Sequence, residues 1–179
     1  MLKPAILYKE ALPTCFALAS LDDTNKFYSE QYWSFDNGVA TTNWDKHQFV
    51  SIDSSDNIVG YISVNVDRGC HYVHSLGAIR FLKDSKYDVL FAKDFKTFFL
   101  RIFYSYKYNK MNFNICVGSP YEAMYDRFCE KYGGRIIGTR KQHWRLQDGT
   151  ICDFKLYELP RYEFIKHTKK YMGKQGEKK

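Results

Sequence analysis

The sequence predicts an α/β (α+β) fold in which one mixed sheet packs against helices. Short runs of alternating apolar residues, such as residues 111–117, have the two-residue period of half-buried strands. Residues 89–106 are apolar around most of a helical circumference, which predicts a long and largely buried helix. The elements follow the order hairpin, strand, long helix, strand, helix and hairpin. This order favours a mixed sheet over a purely parallel one.

The N-terminal quarter predicts short elements and one long loop. Residues 5–9 favour a first short strand, and residues 14–28 are typical of one or two short helices separated by a turn. Residues 32–44 predict a loop rich in aromatic side chains. Those side chains would either cover a cleft or pack beneath the loop itself.

A hairpin and a further strand precede the long helix. Residues 49–52 and 58–66 predict two strands joined by a polar turn. Residues 71–81 predict the next strand. Asp88 directly precedes the apolar helical pattern and is therefore expected to cap the long helix.

The segment that follows residues 111–117 carries consistent helix signals. Ser119 is expected to cap the helix, Pro120 suits the first helical position, and Glu122 would complete a capping box. An apolar stripe follows at helical spacing. Gly133 and Gly134 predict the helix end, because glycine adopts the left-handed conformation without steric cost.

The chain closes with a second predicted hairpin. Residues 135–146 and 150–159 predict antiparallel strands around a turn at Asp148–Gly149. Residues 71–81 and 111–117 are expected to run parallel, because the long helix forms the crossover between them.

Composition limits the range of functions. The 179 residues are most simply one domain, which we predict over residues 1–165. Much of the formal net charge of +7 lies in residues 166–179, which we interpret as a basic tail. Such a tail attracts nucleic acid or an acidic partner, or it is a solvated terminus without a partner.

The cysteines and the apolar runs suggest a cytoplasmic protein with reduced thiols. The five cysteines are an odd number and have no CxxC pair, so the sequence predicts neither a disulfide framework nor a metal site. No apolar run reaches the roughly 20 residues of a membrane span, and no secretion signal is evident. Nothing in the sequence indicates the oligomeric state.

The order of these elements resembles the GNAT (Gcn5-related N-acetyltransferase) superfamily. The resemblance runs over residues 49–164. Within the superfamily the chain most resembles the branch that includes ribosomal-protein alanine acetyltransferases, and short GNAT-like proteins of phages. The strand opening Ile58-Val59-Gly60-Tyr61 is similar to the usual one of the family. The residues that fall in the order of that branch are Lys131, Gly133, Gly134, Gly138, Asp148-Gly149, Asp153 and Tyr157.

The resemblance implies a mostly antiparallel GNAT-like sheet with a splayed parallel strand pair that holds acetyl-CoA. The implied function is an acyl-CoA-dependent N-acetyltransferase that moves an acetyl group directly to an unidentified amine. The strand residues Leu76, Ala78 and Ile79 would bind the cofactor. Ser119 stands where relatives commonly have asparagine, so it is a further cofactor-binding candidate beside its helix-cap role.

The stretch that corresponds to the family's phosphate loop is unusual. Residues 82–88 contain no glycine, whereas the family holds the pyrophosphate on the backbone of a glycine-rich loop at a helix start. Lys83 and Lys86 would supply positive charge, and Asp84 and Asp88 oppose an anion. We therefore expect acetyl-CoA binding to be weak, salt-dependent and reliant on Lys83 or Lys86.

The implied catalytic positions leave alternatives open. Ser75 occupies the place of the family's carboxylate, and its neighbour His74 is either a base or an ordinary strand histidine. Adjacent strand residues point to opposite faces, so His74 reaches the cleft only through a bulge or a different register. The proton donor is Tyr125 or Cys129, which lie one helical turn apart, or Tyr125 is simply a core residue.

A second function is the alternative to this transferase. The glycine-free loop, the missing strand carboxylate and the basic tail are typical of a catalytically inactive GNAT-fold binding module. Its partner would be a host protein or a nucleic acid.

Overall fold

A computed structural model describes residues 1–28, 39 and 44–172, with side chains to residue 169. Within these residues one sheet has the strand order β1–β2–β3–β4–β5–β7–β6. All neighbouring strands are antiparallel except β4 and β5. The strands are β1 Leu2–Pro4, β2 Lys46–Ile52, β3 Ile58–Asp67, β4 Tyr72–Arg80, β5 Lys110–Cys116, β6 Arg135–Arg145 and β7 Ile151–Pro160.

Helices cover both faces of the sheet. They are α1 Leu12–Ser20, α2 Ser85–Leu100, α3 Glu122–Lys131 and α4 Arg161–Met172. The chain continues from α2 into a π-helical turn at Arg101–Ser105. Phe99 of α2, Cys129 of α3 and Phe164 of α4 pack in one core, whereas α1 packs in a second core with Val50 and Ile79. The structure is therefore a mixed α/β fold of three layers, as the sequence predicts.

The parallel pair β4–β5 separates almost at once. The two strands pair at Val73 and Met111, and beyond this point they diverge. A β-bulge lies on β4 just above the pairing, because Ser63 faces Gly77 whereas Asn65 faces His74. Ser75 within the bulge has a φ of 55°. The divergence and the bulge together open the sheet from one face to the other.

Most predicted elements are confirmed, and two local predictions are wrong. Residues 5–9 do not form a strand: β1 precedes them, and Ala5–Tyr8 form a 3₁₀ helix. Asp88 does not cap α2, because Asp84 accepts the hydrogen bond from the Lys86 N–H at 3.1 Å and the helix starts four residues earlier than predicted. The predicted loop over residues 32–44 lies almost entirely outside the described residues.

The start of α3 differs in detail from the predicted capping box. The helix begins at Glu122, so Pro120 precedes its first turn. The Ser119 hydroxyl accepts a weak hydrogen bond from the Tyr121 N–H at 3.3 Å, and the Glu122 carboxylate accepts one from the Gly118 N–H at 2.8 Å. Ser119 and Glu122 thus close this helix start, although not as a reciprocal pair.

The C-terminal helix α4 crosses the boundary between residues 165 and 166. Thr168 is 0% exposed, and its hydroxyl donates to the Phe164 carbonyl at 2.7 Å. The Tyr104 hydroxyl lies 2.8 Å from the Thr168 hydroxyl. Residues just beyond 165 therefore pack on the core. Across the described part of the chain, no helix is long and apolar enough to span a membrane.

Candidate functional site

A cleft of about 900 Å³ passes through the sheet where β4 and β5 diverge. Ser75, Leu76 and Ala78 line it from β4, and Phe113 and Cys116 line it from β5. Phe113 and Cys116 belong to cores on opposite faces of the sheet, so the cleft reaches both faces. Small-molecule sites are usually clefts of this size that are lined mainly by apolar side chains, with a few polar groups among them.

Tyr125 of α3 lies in the helical half of the cleft. It is 8% exposed, and its ring lies 5.8 Å from that of Phe113 and 6.4 Å from that of Phe95. Burial raises the pKa of Tyr125 well above its usual value, so the hydroxyl stays protonated. Within the described residues the hydroxyl makes no hydrogen bond. Tyr125 can therefore donate a proton to a ligand in the cleft.

A polar network beneath Tyr125 fixes α3 on the sheet. The Tyr157 hydroxyl of β7 donates to the Asp126 carboxylate at 2.7 Å, and the Lys155 ammonium donates to it at 3.2 Å. Desolvation opposes ionisation of Asp126, but these two donors hold its pKa below the usual value. The Tyr157 ring stacks on Phe113 at 4.9 Å. Asp126 follows Tyr125 directly on α3, so the bond between Asp126 and Tyr157 also fixes the position of Tyr125.

Ser75 and His74 meet at the bulge on β4. The His74 Nδ1 lies 2.9 Å from the Ser75 hydroxyl, and Ser75 lines the cleft. His74 reaches the site through this serine rather than directly. The sequence predicts that His74 reaches the cleft only through a bulge or a different register; β4 has a bulge here, but Ser75 and not His74 lines the cleft.

Cys129, the other proposed proton donor, lies outside the cleft. It is 3% exposed, and burial raises the pKa of its thiol to about 11. Its sulfur packs against the backbone of Gly134, where an added Cβ would lie only 2.5 Å away. The geometry therefore favours Tyr125 over Cys129 as a group that contacts a ligand.

The cofactor-binding candidates divide into two sets. Leu76, Ala78 and Ser119 line the cleft, whereas Ile79 is 1% exposed and faces the core beneath α1. The Tyr28 hydroxyl donates to the Ala78 carbonyl, so this carbonyl already has a partner.

Neither lysine of the β4–α2 connection lines the cleft. Lys83 forms an ion pair with Asp22 and donates to the Thr24 hydroxyl at 2.9 Å, and Lys86 lies 3.8 Å from Asp84. The Asp84 carboxylate caps α2 and so occupies the helix N-terminus that would otherwise attract an anion.

The cations that do line the cleft come from other positions. They are Arg80, Lys96 and Lys131, and Arg80 forms an ion pair with Asp88. The sequence gives no local motif for them, because each lies on a different element.

The sheet face opposite α2 and α3 contributes aromatic side chains that sequence reasoning did not assign to the site. They are Phe27, Tyr28, Trp144 and Phe154, and we name them the aromatic wall. Trp144 and Phe154 were placed only within the closing hairpin. No short-range signal marks them, because Trp144 reaches the cleft through an irregular register of β6.

Comparisons with known proteins agree with this geometry. No protein-family profile matches the chain, and a search of curated proteins finds no match. Solved structures do match. The spermidine N-acetyltransferase of Vibrio cholerae in complex with CoA and spermine superposes with a TM-score of 0.71, at 16% sequence identity, over 92% of this chain and 97% of that one. A GCN5-related N-acetyltransferase of Brucella melitensis gives a TM-score of 0.67, at 16% identity, over 96% of this chain and 80% of that one. The chain has the GNAT fold.

The GNAT fold explains why the predicted order of elements was correct although no sequence relative supports it. The family's splayed strand pair corresponds to β4 and β5, and the cleft lies between them. The ribosomal-protein branch, the phage connection and the cytoplasmic location stay predictions from the sequence. At such low identity the superposition shows the fold alone.

Proposed function

We propose that the protein is an acyl-CoA-dependent N-acetyltransferase that transfers an acetyl group directly to an amine. The observation that carries this proposal is the cleft through the diverging β4–β5 pair, with the protonated Tyr125 hydroxyl on one side and Ser75 on the other. Acetyl-CoA and the amine would enter from opposite faces of the sheet. The GNAT fold raises the probability of this chemistry by analogy.

The residues of the chain divide the proton transfers of such a reaction between them. Acetyl-CoA supplies the acetyl thioester. As the nitrogen–carbon bond forms, Ser75 takes the proton that the amine loses and passes its own hydroxyl proton to His74 Nδ1. Tyr125 protonates the sulfur as the carbon–sulfur bond breaks. The edge of β4 that β5 leaves unpaired offers backbone groups to the thioester carbonyl and to the pantetheine amides.

The residues present fit the phosphate groups of the cofactor less well than its pantetheine arm. The charge of Asp84 lies at the start of α2, and both Lys83 and Lys86 already have acidic partners. Leu76, Ala78 and Ser119 line the cleft and remain the proposed contacts for the pantetheine arm. We therefore keep the expectation of weak, salt-sensitive binding, because an ion pair must be given up for either lysine to reach a phosphate.

A catalytically inactive binding module is the second candidate. The Asp84 carboxylate at the α2 N-terminus favours it, since an anion-binding helix start is the usual phosphate site in this fold. An acidic protein or a nucleic acid that binds residues 166–179 would be the partner. Deletion of residues 173–179 tests that role without removing the part of α4 that packs on the core.

Calorimetric titration with acetyl-CoA at low salt separates the two candidates. The enzyme requires heat of binding and release of free CoA thiol in the presence of an amine. Absence of both would leave the binding module.

Tyr125→Phe then tests the mechanism. It should lower turnover about 10²–10⁴-fold and leave thermal unfolding unchanged, because only the hydroxyl is lost. Tyr121→Phe is the matched control, since Tyr121 also lines the cleft. Unaltered turnover in Tyr125→Phe together with loss in Cys129→Ala would assign the proton transfer to Cys129.

A further inference from the structure

The aromatic wall bridges both diverging strands. The Cys116 thiol of β5 donates to the Phe27 carbonyl at 3.4 Å, and the Tyr28 hydroxyl donates to the Ala78 carbonyl of β4. The two consecutive residues Phe27 and Tyr28 are therefore tied to opposite sides of the cleft. Their side chains close the face of the cleft that lies away from α2 and α3.

The second half of the wall is a stacked ring pair. The rings of Trp144 on β6 and Phe154 on β7 are 4.8 Å apart and nearly parallel, at 8°. Both belong to the small core that also contains Phe27 and Cys116. The wall thus presents an apolar surface in the same cleft that Ser75 lines, where the amine would react.

A bulge in β6 brings Trp144 to this position. Arg140 pairs with Phe154 and Trp144 pairs with Cys152, so three residues of β6 lie opposite a single residue of β7. The Asp153 carboxylate fixes the bulge by accepting hydrogen bonds from the Gln142 N–H at 3.0 Å and from the Lys141 ammonium at 2.7 Å. The placement of Trp144 is therefore built into the hairpin and does not depend on a bound ligand.

The charges that line the cleft oppose a polycation. Among the described residues, the one carboxylate that lines it is Asp88, and this carboxylate is paired with Arg80. The ammonium groups of Lys96 and Lys131 also line the cleft. The cations of the cleft would repel a substrate with several ammonium groups. Such a substrate would also find few carboxylates to replace the hydrogen bonds that its ammonium groups make with water.

We infer that the acceptor of the proposed transferase is a primary amine with an aromatic or apolar side group, and that polyamines are poor acceptors. The inference rests on the proposed acetyl transfer for its chemistry. The side group packs on the aromatic wall, and its burial supplies the binding free energy. The single amine then lies at Ser75, on the side from which it can attack the thioester.

Steady-state acetylation of matched amines tests the acceptor class. With acetyl-CoA, kcat/KM for 2-phenylethylamine should exceed that for spermidine at least tenfold. Trp144→Ala should lower kcat/KM for 2-phenylethylamine about 30-fold, which is the usual size of the effect when an apolar pocket contact is lost. The same substitution should lower kcat/KM for ethylamine less than about threefold. Trp44→Ala is the matched control, because Trp44 is 83% exposed and lies outside the cleft.

Direct binding provides a readout that does not need turnover. 2-Phenylethylamine should quench tryptophan fluorescence, and the quenching should be lost in Trp144→Phe and kept in Trp44→Phe. Spermidine at equal concentration should leave the emission unchanged. Quenching of this pattern without acetylation would support the aromatic-amine site and reject the proposed transferase.

Two results would overturn the inference. Spermidine acetylated as efficiently as 2-phenylethylamine would retain the transferase and reject the acceptor class. Absence of any Trp144-dependent quenching by 2-phenylethylamine, with equal turnover of ethylamine and 2-phenylethylamine, would show that the wall binds no substrate group.

Discussion

The packing around Gly60 leaves no room for a Cβ atom. Gly60 lies on β3 under α2, and an added Cβ would lie 2.5 Å from Cε2 of Phe91 and 2.6 Å from the Ile79 carbonyl oxygen. Real Cβ atoms do not approach other atoms so closely, so Gly60→Ala forces a shift. The carbonyl belongs to β4, and Phe91 lines the cleft. The shift must therefore move α2 or β4, the two elements that form one side of the site.

The expected cost of Gly60→Ala follows from this geometry. Overpacking of a core typically costs about 1–3 kcal/mol, and the upper end applies here because one of the two obstacles is backbone. For a chain of this size each kcal/mol lowers the melting temperature by about 2–4 °C, so a decrease of about 6–12 °C is expected at the upper end. Circular dichroism during thermal unfolding measures it, and acetyl-CoA titration measures any accompanying change in the cleft.

A matched glycine and a second substitution make this prediction sharp. Gly69→Ala is the control, because its Cβ would meet only the Asp67 carboxylate at an ordinary 3.5 Å. Phe91→Leu in the Gly60→Ala background should recover part of the loss by removing ring atoms. No recovery would identify the Ile79 carbonyl as the obstacle. Equal melting temperatures for Gly60→Ala and Gly69→Ala would refute the close packing of α2 on β3.

Two further predictions concern charge. Asp84→Asn keeps the cap of α2 but removes its negative charge, so acetyl-CoA should bind about 2–5-fold more tightly by calorimetry. Asp148→Asn in the β6–β7 turn should leave the affinity unchanged, and equal affinities in all three proteins would contradict a role of Asp84. Burial and then the charge of Arg68 lower the pKa of His47 below its usual value, so the folded state favours the neutral ring. The stability from His47 is complete above its unfolded pKa of about 6.5 and is lost as pH falls towards the folded pKa. His47→Gln should therefore flatten the decrease of the melting temperature between about pH 7 and 5, and an unchanged slope would contradict this assignment.

Local chemistry made most of the fold predictable from the sequence. The turn at Asp148–Gly149 and the glycine pair after α3 set the ends of their elements through backbone conformation, which a short stretch of sequence determines. The cap of α2 was misplaced because Asp84 and Asp88 both lie before an apolar helical pattern. Only the structure shows that Asp84 is the one that bonds the helix start.

The site was predictable only where a single element carries it. The helix pattern places Tyr125 and Ser119 on one element, the resemblance to the GNAT superfamily names them as site candidates, and both line the cleft. The aromatic wall combines residues about 120 positions apart in the sequence, and the placement of Trp144 in it depends on the bulge in β6. A bulge interrupts the two-residue alternation of a strand, and its position depends on packing against neighbouring elements. The local pattern of apolar residues therefore does not predict it.

The irregular hydrogen bonding of β6 has a consequence for solubility. β6 is the outer strand of the sheet, and Ile136 and Ile137 on it are about half exposed. A long flat edge with such side chains would be a template for pairing with a strand of another molecule. The bulge between Arg140 and Trp144 breaks that edge, because three residues of β6 lie opposite one residue of β7 and Gln142 within it has a φ of 47°. The same bulge that brings Trp144 to the cleft thus makes the outer edge of β6 a poor template for edge-to-edge pairing between molecules.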